Sequence, residues 1–308
     1  FYDHAIGDNG GGGPFTAVDY ADYTSLIANY NVAQNSLNYL FLSGISGYVG
    51  IDPTVPGIYT VEMSAFDPSN TITPLASTSI DVVILSDKVF PNVIFGSGNA
   101  NGGYTTTRAN GVELGLRAKL RFDCTNGPQN TFNFNSDGTY HFPAGYPSVG
   151  FSWAVGDDAT AYWNFDWSIN TDYAGSTGNK LDDLTYEFSL DYDASPGTTF
   201  YSFDPIEPTP SSSKVHDHSL GDNSFAAGTG IEATASWDAY KDAIAMYNVA
   251  QNSWNYKFFS APALDATGID FNASVPGVFT ISLKAFKDGT EVAAVSIDVF
   301  TSAGPCQV

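Results

Sequence analysis

The chain has 308 residues, with 33 Asp and Glu against 11 Lys and Arg, a formal net charge of -22 and 15% aromatic residues. An acidic surface of this kind excludes nucleic-acid binding, which needs clustered Lys and Arg against phosphate, and no run of about 18 apolar residues is present to span a membrane. The length exceeds what one core usually serves, so two or three domains are expected, and aromatic, Thr and Val content punctuated by 30 Gly and 16 Pro favours strands over a helix bundle.

The first block of the chain is used twice. Asp3-His4-Ala5-Ile6-Gly7-Asp8-Asn9 returns as Asp217-His218-Ser219-Leu220-Gly221-Asp222-Asn223, and Tyr30-Asn31-Val32-Ala33-Gln34-Asn35-Ser36 returns as Tyr247-Asn248-Val249-Ala250-Gln251-Asn252-Ser253. Val55-Pro56-Gly57 matches Val275-Pro276-Gly277, and Ser79-Ile80-Asp81-Val82 matches Ser296-Ile297-Asp298-Val299. The drifting offsets place small insertions between blocks, where loops absorb them. Two copies of one domain follow, over 1–88 and 215–308.

Within each copy, apolar and aromatic residues at three- and four-residue spacing predict a short amphipathic helix, Asp19 to Asn31 and Trp237 to Tyr247, with Ser236 as a cap for the second. A strand is predicted over Asn35 to Leu42 and again over Asn252 to Phe259. The Pro-Gly turns then feed alternating strands, and Asp288-Gly289 closes a hairpin onto a last strand from Glu291 to Phe300. In the first copy a longer turn, Asp67-Pro68-Ser69-Asn70-Thr71, replaces that tight one.

Between the copies, 89–206 reads as a central β-sandwich. Its predicted strands are Val112 to Phe122, Asn130 to Asn135, Tyr140 to Phe142, Tyr162 to Ile169 and Leu184 to Tyr192. A Pro- and Ser-rich linker, 207–214, follows. The fold class expected is mainly β: antiparallel β-sandwich or jelly-roll domains with one short helix in each terminal repeat.

Several phrases carry a resemblance. Asn164-Phe165-Asp166-Trp167-Ser168-Ile169-Asn170, Leu181-Asp182-Asp183-Leu184-Thr185-Tyr186, Phe203-Asp204-Pro205-Ile206, Asp217-His218-Ser219 and Val249 to Asn255 resemble exported bacterial surface and matrix proteins that carry a C-terminal Pro-Glu-Pro sorting tail. The sequence here lacks that tail and has an extra copy in front. The resemblance implies an exported protein, extracellular or at the cell surface, and brings no assigned chemistry.

Candidate sites come from residue chemistry. Asp3, His4 and Asp8, and again Asp217, His218 and Asp222, combine oxygen donors with one imidazole and are candidates for a divalent ion, with calcium the possible cofactor. The competing reading makes Gly-Asp-Asn a turn whose side chains bond backbone. Asp182 and Asp183 lie in the richest acidic stretch and are further calcium candidates. Asn133 to Gly138 begins like a calcium loop, but its twelfth place falls on Ala144, so a hairpin turn is expected there. Trp153, Trp163 and Trp167 are candidates for stacking on sugar rings, against core packing on a strand of one parity. Cys124 and Cys306 are a candidate disulfide, alternatively free or joined to another copy.

No nucleophile elbow or phosphate loop appears, and acidic pairs are too numerous to select a catalytic one, so no enzyme is expected. The function expected is an extracellular structural protein that self-associates through β-strand edges into a filament, sheath or biofilm matrix. The alternative is a carbohydrate-binding surface module, with extracellular polysaccharide as partner.

Overall fold

The computed structural model describes residues 4–35, 55, 57–84, 93–95, 104–122, 128–131, 137–148, 154–195, 197–207, 218–232, 236–260 and 271–304. The chain divides into two compact units, Phe1–Ser86 and Asp87–Val308.

The first unit contains β1 (Ala5–Gly7), α1 (Tyr20–Asn29), β2 (Val32–Gln34), β3 (Gly57–Asp67) and β4 (Asn70–Ile84). Asp19 caps α1 by accepting from the Asp22 amide, as an N-cap aspartate does. β1 and β2 form one antiparallel pair, and β3 and β4 form another. The turn between β3 and β4 is only Pro68-Ser69, shorter than the sequence reading had it, because the Asp67 carboxylate accepts from both the amide and the hydroxyl of Ser69 and closes the chain there.

The second unit holds β5 (Thr105–Ala109), β6 (Val112–Phe122), β7 (Pro128–Thr131), β8 (Thr139–Pro143), β9 (Trp163–Asn170), a 3-10 turn (Leu181–Asp183), β10 (Thr185–Asp191) and β11 (Phe200–Phe203). It continues with β12 (Ser219–Gly221), β13 (Ile231–Glu232), α2 (Trp237–Met246), β14 (Val249–Trp254), α3 (Lys257–Ser260), β15 (Gly277–Lys287) and β16 (Thr290–Ser302). One sheet runs β13-β12-β14-β9-β6-β5, with β7 also on β6; the other runs β11-β10-β15-β16-β8. Among the described residues all pairs are antiparallel except β16 with β8. The fold is therefore mainly β with little helix, in two multi-stranded sheets.

The sequence reading separates 89–206 from 215–308, and the structure interleaves them. β14 pairs with β9 in one sheet, while in the other β15 pairs with β10 and β16 with β8. The physical reason is edge pairing: the hairpin β15–β16 has two edges, and the central segment supplies a strand to each. Of the 207–214 linker, all but Glu207 lies outside the described residues.

Both sheets turn an apolar face to one core. Phe165 of β9 stacks on Phe188 of β10 with centroids 5.9 Å apart, and Trp163 meets Phe279 of β15 at 6.1 Å. Leu114, Leu116, Ile281, Leu283 and Ile297 fill the space between. Each fully buried side chain of this size contributes about 1.5–3 kcal/mol of transfer free energy, so the core alone accounts for why the central segment and second repeat cohere.

The other expectation corrected here is the strand over Asn252 to Phe259. β14 ends at Trp254 and the chain turns into α3, because the Asn255 side chain leaves the ladder: its amide donates to the carbonyls of Ala161 and Trp163, while its oxygen accepts from the Lys257 amide.

Candidate functional site: one repeat covered, one open

Among the described residues the predicted metal positions are not brought together. His218 is fully buried, and its Nε2 lies 2.5 Å from the Pro205 carbonyl oxygen. A carbonyl can only accept, so Nε2 carries the proton and Nδ1 accepts from the Asn252 amide at 3.4 Å. Both ring nitrogens face protein, and Trp167 presents to the ring edge-to-face at 4.9 Å. Asp222 is spent on its own turn, accepting from the amide and hydroxyl of Ser224, which hold its carboxyl below the usual aspartate range.

In the first unit, His4 Nδ1 meets the Asn35 amide at 3.2 Å, the same contact as in the second repeat, and Asp8 accepts from the amides of Gly10 and Gly12. Asp3 and Asp217 lie outside the described residues. Asp183 accepts from the Lys180 amide and lies 3.7 Å from Lys287 Nζ, while Asp182 beside it is exposed. Asp137 closes the turn before β8 by accepting from the amide and hydroxyl of Thr139. Among the described residues no group of three or more His, Cys, Asp or Glu is placed to hold a metal ion.

The tryptophan candidates are corrected by burial. Trp163 and Trp167 point into the core between the sheets, where Trp163 packs on Tyr256 and Phe142 and Trp167 on Trp254, so neither offers a face to a sugar. Their shared parity with Phe165 is that of a core-facing strand edge to edge with β6 and β14. Trp153, Cys124 and Cys306 lie outside the described residues.

The opposite parity of β6 and β9 is also buried, which the sequence reading did not anticipate. Asp166 Oδ2 accepts from Arg117 Nε at 2.8 Å and lies 3.2 Å from Lys119 Nζ. Tyr104 lies under the Arg117 guanidinium at 4.3 Å and Phe95 beside Lys119. Burial pushes the Tyr104 hydroxyl up and the Lys119 ammonium down, the latter opposed by the Asp166 carboxylate. Gln251 of β14 joins this layer, donating to Ser168 and accepting from the Ile94 amide. Alternating cations on a strand with apolar neighbours were the available signal, but they read equally well as a solvated face.

The informative surface is found by laying the two repeats over each other. β1–β2 pairs Ala5, Ile6 and Gly7 with Gln34, Ala33 and Val32, and β12–β14 pairs Ser219, Leu220 and Gly221 with Gln251, Ala250 and Val249. In β3–β4 Val61 opposes Ile80 and Thr60 opposes Asp81; in β15–β16 Ile281 opposes Ile297 and Thr280 opposes Asp298. Even the cross-strand hydrogen bond is the same, from the threonine hydroxyl to the aspartate at 2.7 Å in the first copy and 2.8 Å in the second.

Burial separates them. Ile281, Leu283 and Ile297 are 0–2% exposed, whereas their counterparts Val61, Met63 and Ile80 are 42%, 72% and 64% exposed. On the helices, Ile244 is 1% exposed and its counterpart Ile27 is 48%. α2 buries Tyr240, Ala243 and Ile244, and α1 buries nothing. What covers the second repeat is the segment 104–206. It places β10 on β15, β8 on β16, β9 on β14, and the aromatic face of β9 over all of them. Among the described residues β3 and β4 pair only with each other. Among the described residues this face combines strand edges without a further strand and an apolar stripe, two features that added strands satisfy together.

No family model, curated protein or solved structure matches this chain.

Proposed function

We propose that this is a non-enzymatic structural protein, exported to the cell surface or extracellular matrix, that self-associates through β-strand edges into a filament, sheath or matrix. Asp87–Val308 is its finished body, which we take to be a β-sandwich, its two sheets face to face. The first repeat is its docking end. One observation carries the reading: the same hairpin, in the same register, is sealed in one copy and open in the other. Apolar surface left open on a regular strand pair favours association, at roughly 25 cal/mol for each Å² removed from water. The charge of -22 opposes it at low salt, so salt strengthens it. The exported setting comes from the family resemblance of the phrases around β9 and β14.

Sedimentation velocity over a wide concentration range, at low and high salt, tests the reading. Concentration-dependent association that is abolished by Met63→Asp with Ile80→Asp supports it, and negative-stain images then distinguish fibres from closed oligomers. A single monomeric species throughout, unaffected by the double variant, contradicts it.

A further inference from the structure

We propose that Lys119 and Asn164 are the two ends of an intramolecular amide cross-link, formed by the chain itself between β6 and β9 with Asp166 carrying the protons. The three residue types that such a reaction needs meet on the face of β6 and β9 turned away from the core. Lys119 and Asn164 are direct partners in the antiparallel register, so both side chains leave the sheet on one face with Cβ atoms about 4.5–5.5 Å apart, a separation that a lysine stem spans. Lys119 Nζ lies 3.2 Å from Oδ2 of Asp166, the next residue of β9 on that face. Lys119, Asn164 and Asp166 are 2%, 6% and 0% exposed. Phe95 lies beside Lys119 and packs with Val93 and Tyr104, so apolar rings cover the row.

Burial changes what these groups do. A solvated lysine is protonated and has no lone pair to attack with; here desolvation pushes the ammonium down, Arg117 acts in the same direction and Asp166 opposes them. The acceptor is prepared from its other side. Asn164 Oδ1 accepts from the Asn255 amide at 2.9 Å, and Nδ2 donates to Ser253 Oγ at 3.3 Å. The first of these bonds draws electrons from Cγ and is placed to stabilise negative charge on Oδ1. Asn255 is in turn fixed by the carbonyls of Ala161 and Trp163. Arg117 Nε already donates to Asp166 Oδ2 at 2.8 Å, so Lys119 brings a second buried cation to one carboxylate oxygen. Amide formation removes that charge from the interior and leaves the Arg117–Asp166 pair in place.

The step balances without a co-reactant. The Lys119 ammonium passes a proton to Asp166, and the freed Nζ lone pair attacks Asn164 Cγ while the carbonyl electrons move onto Oδ1. Asp166 gives its proton to Nδ2 and takes one from Nζ. Collapse of the tetrahedral centre reforms the carbonyl and breaks the Cγ–Nδ2 bond; ammonia departs and takes the last proton from Asp166 as ammonium. The reaction runs once per chain, and it stands independently of the assembly reading. Its product ties two neighbouring strands covalently, constraining the unfolded chain as a disulfide does.

The test is the intact mass of the chain, folded at neutral pH and then reduced and denatured. The expected mass is about 17 Da below that of the sequence, the loss of one ammonia, and digestion with trypsin and chymotrypsin should leave a peptide around Lys119 joined to one around Asn164. Lys119→Arg, Asn164→Ala and Asp166→Asn should each show the full mass of their own sequence. The wild-type chain is decisive whether or not a variant folds: its full sequence mass overturns the proposal. A loss of about 18 Da with the junction at Asp166, the loss of water in place of ammonia, overturns Asn164 as the acceptor. A loss of ammonia that persists in Asn164→Ala places it elsewhere and overturns the cross-link, and a link formed as fully in Asp166→Asn overturns the role given to that carboxylate.

Discussion

Ile281 and Val61 stand at one place in two hairpins of matching register, the first sealed in a core and the second open to water. The difference does not originate within the hairpins: Phe279, Ile281 and Leu283 correspond to Tyr59, Val61 and Met63, all apolar or aromatic on one face. It originates in neighbours distant along the chain. Strand pattern specifies which face wants burial, and only topology decides whether anything arrives to bury it. A repeat can therefore be locally complete and globally unfinished.

The largest effects should expose the asymmetry directly. Phe188→Ala removes a ring that packs on Phe165, Trp167, Phe203 and Trp254. It should destabilise the second unit by about 3–5 kcal/mol, read as a lowered denaturant midpoint, and leave exchange over 57–84 untouched. Next come the matched truncations. Leu283→Ala should cost about 2–5 kcal/mol, while Met63→Ala in dilute monomer should stay within about 0.5 kcal/mol. Equal costs would mean that the first hairpin is covered after all.

Tyr256→Phe sharpens the comparison at the polar contacts. It deletes the hydroxyl that bonds the Asp191 carbonyl and should cost about 0.5–1.5 kcal/mol in thermal or chemical unfolding. The smallest effect concerns pH. Asp222 has its carboxyl held below the ordinary aspartate value by the Ser224 hydroxyl and amide. Its contribution is present above that value and is lost as pH falls through the lower folded value. Asp222→Asn should flatten the acid limb of the second unit's stability curve by about 0.5 kcal/mol or less, since solvent screens the site.

Local structure was largely legible in the sequence. The predicted strand over Val112 to Phe122 is β6 residue for residue, the 3.6-residue spacing located both helices within two residues of their ends, and Asp288-Gly289 makes the predicted turn with both residues at positive φ, 50° and 76°. These signals are carried by residues close in the chain. The repeat was legible because identity at fixed spacing needs no structure at all.

The interleaving of 104–206 with the second repeat was not legible, because pairing of β10 with β15 joins residues such as Phe188 and Leu283 across a span that no local pattern encodes. The surroundings of three candidate residues were not legible for a related reason. His218, Asp222 and Trp167 are residue types that serve ligands or cores equally well, and only their partners Pro205, Ser224 and Trp254 decide between the two.

Amide hydrogen exchange on the dilute, monomeric chain tests the central claim most directly. The account predicts that 277–302 exchanges only through global opening of its unit, typically about 5–15 kcal/mol uphill, while 57–84 exchanges with almost no protection. Comparable protection of the two hairpins in a monomer would contradict it.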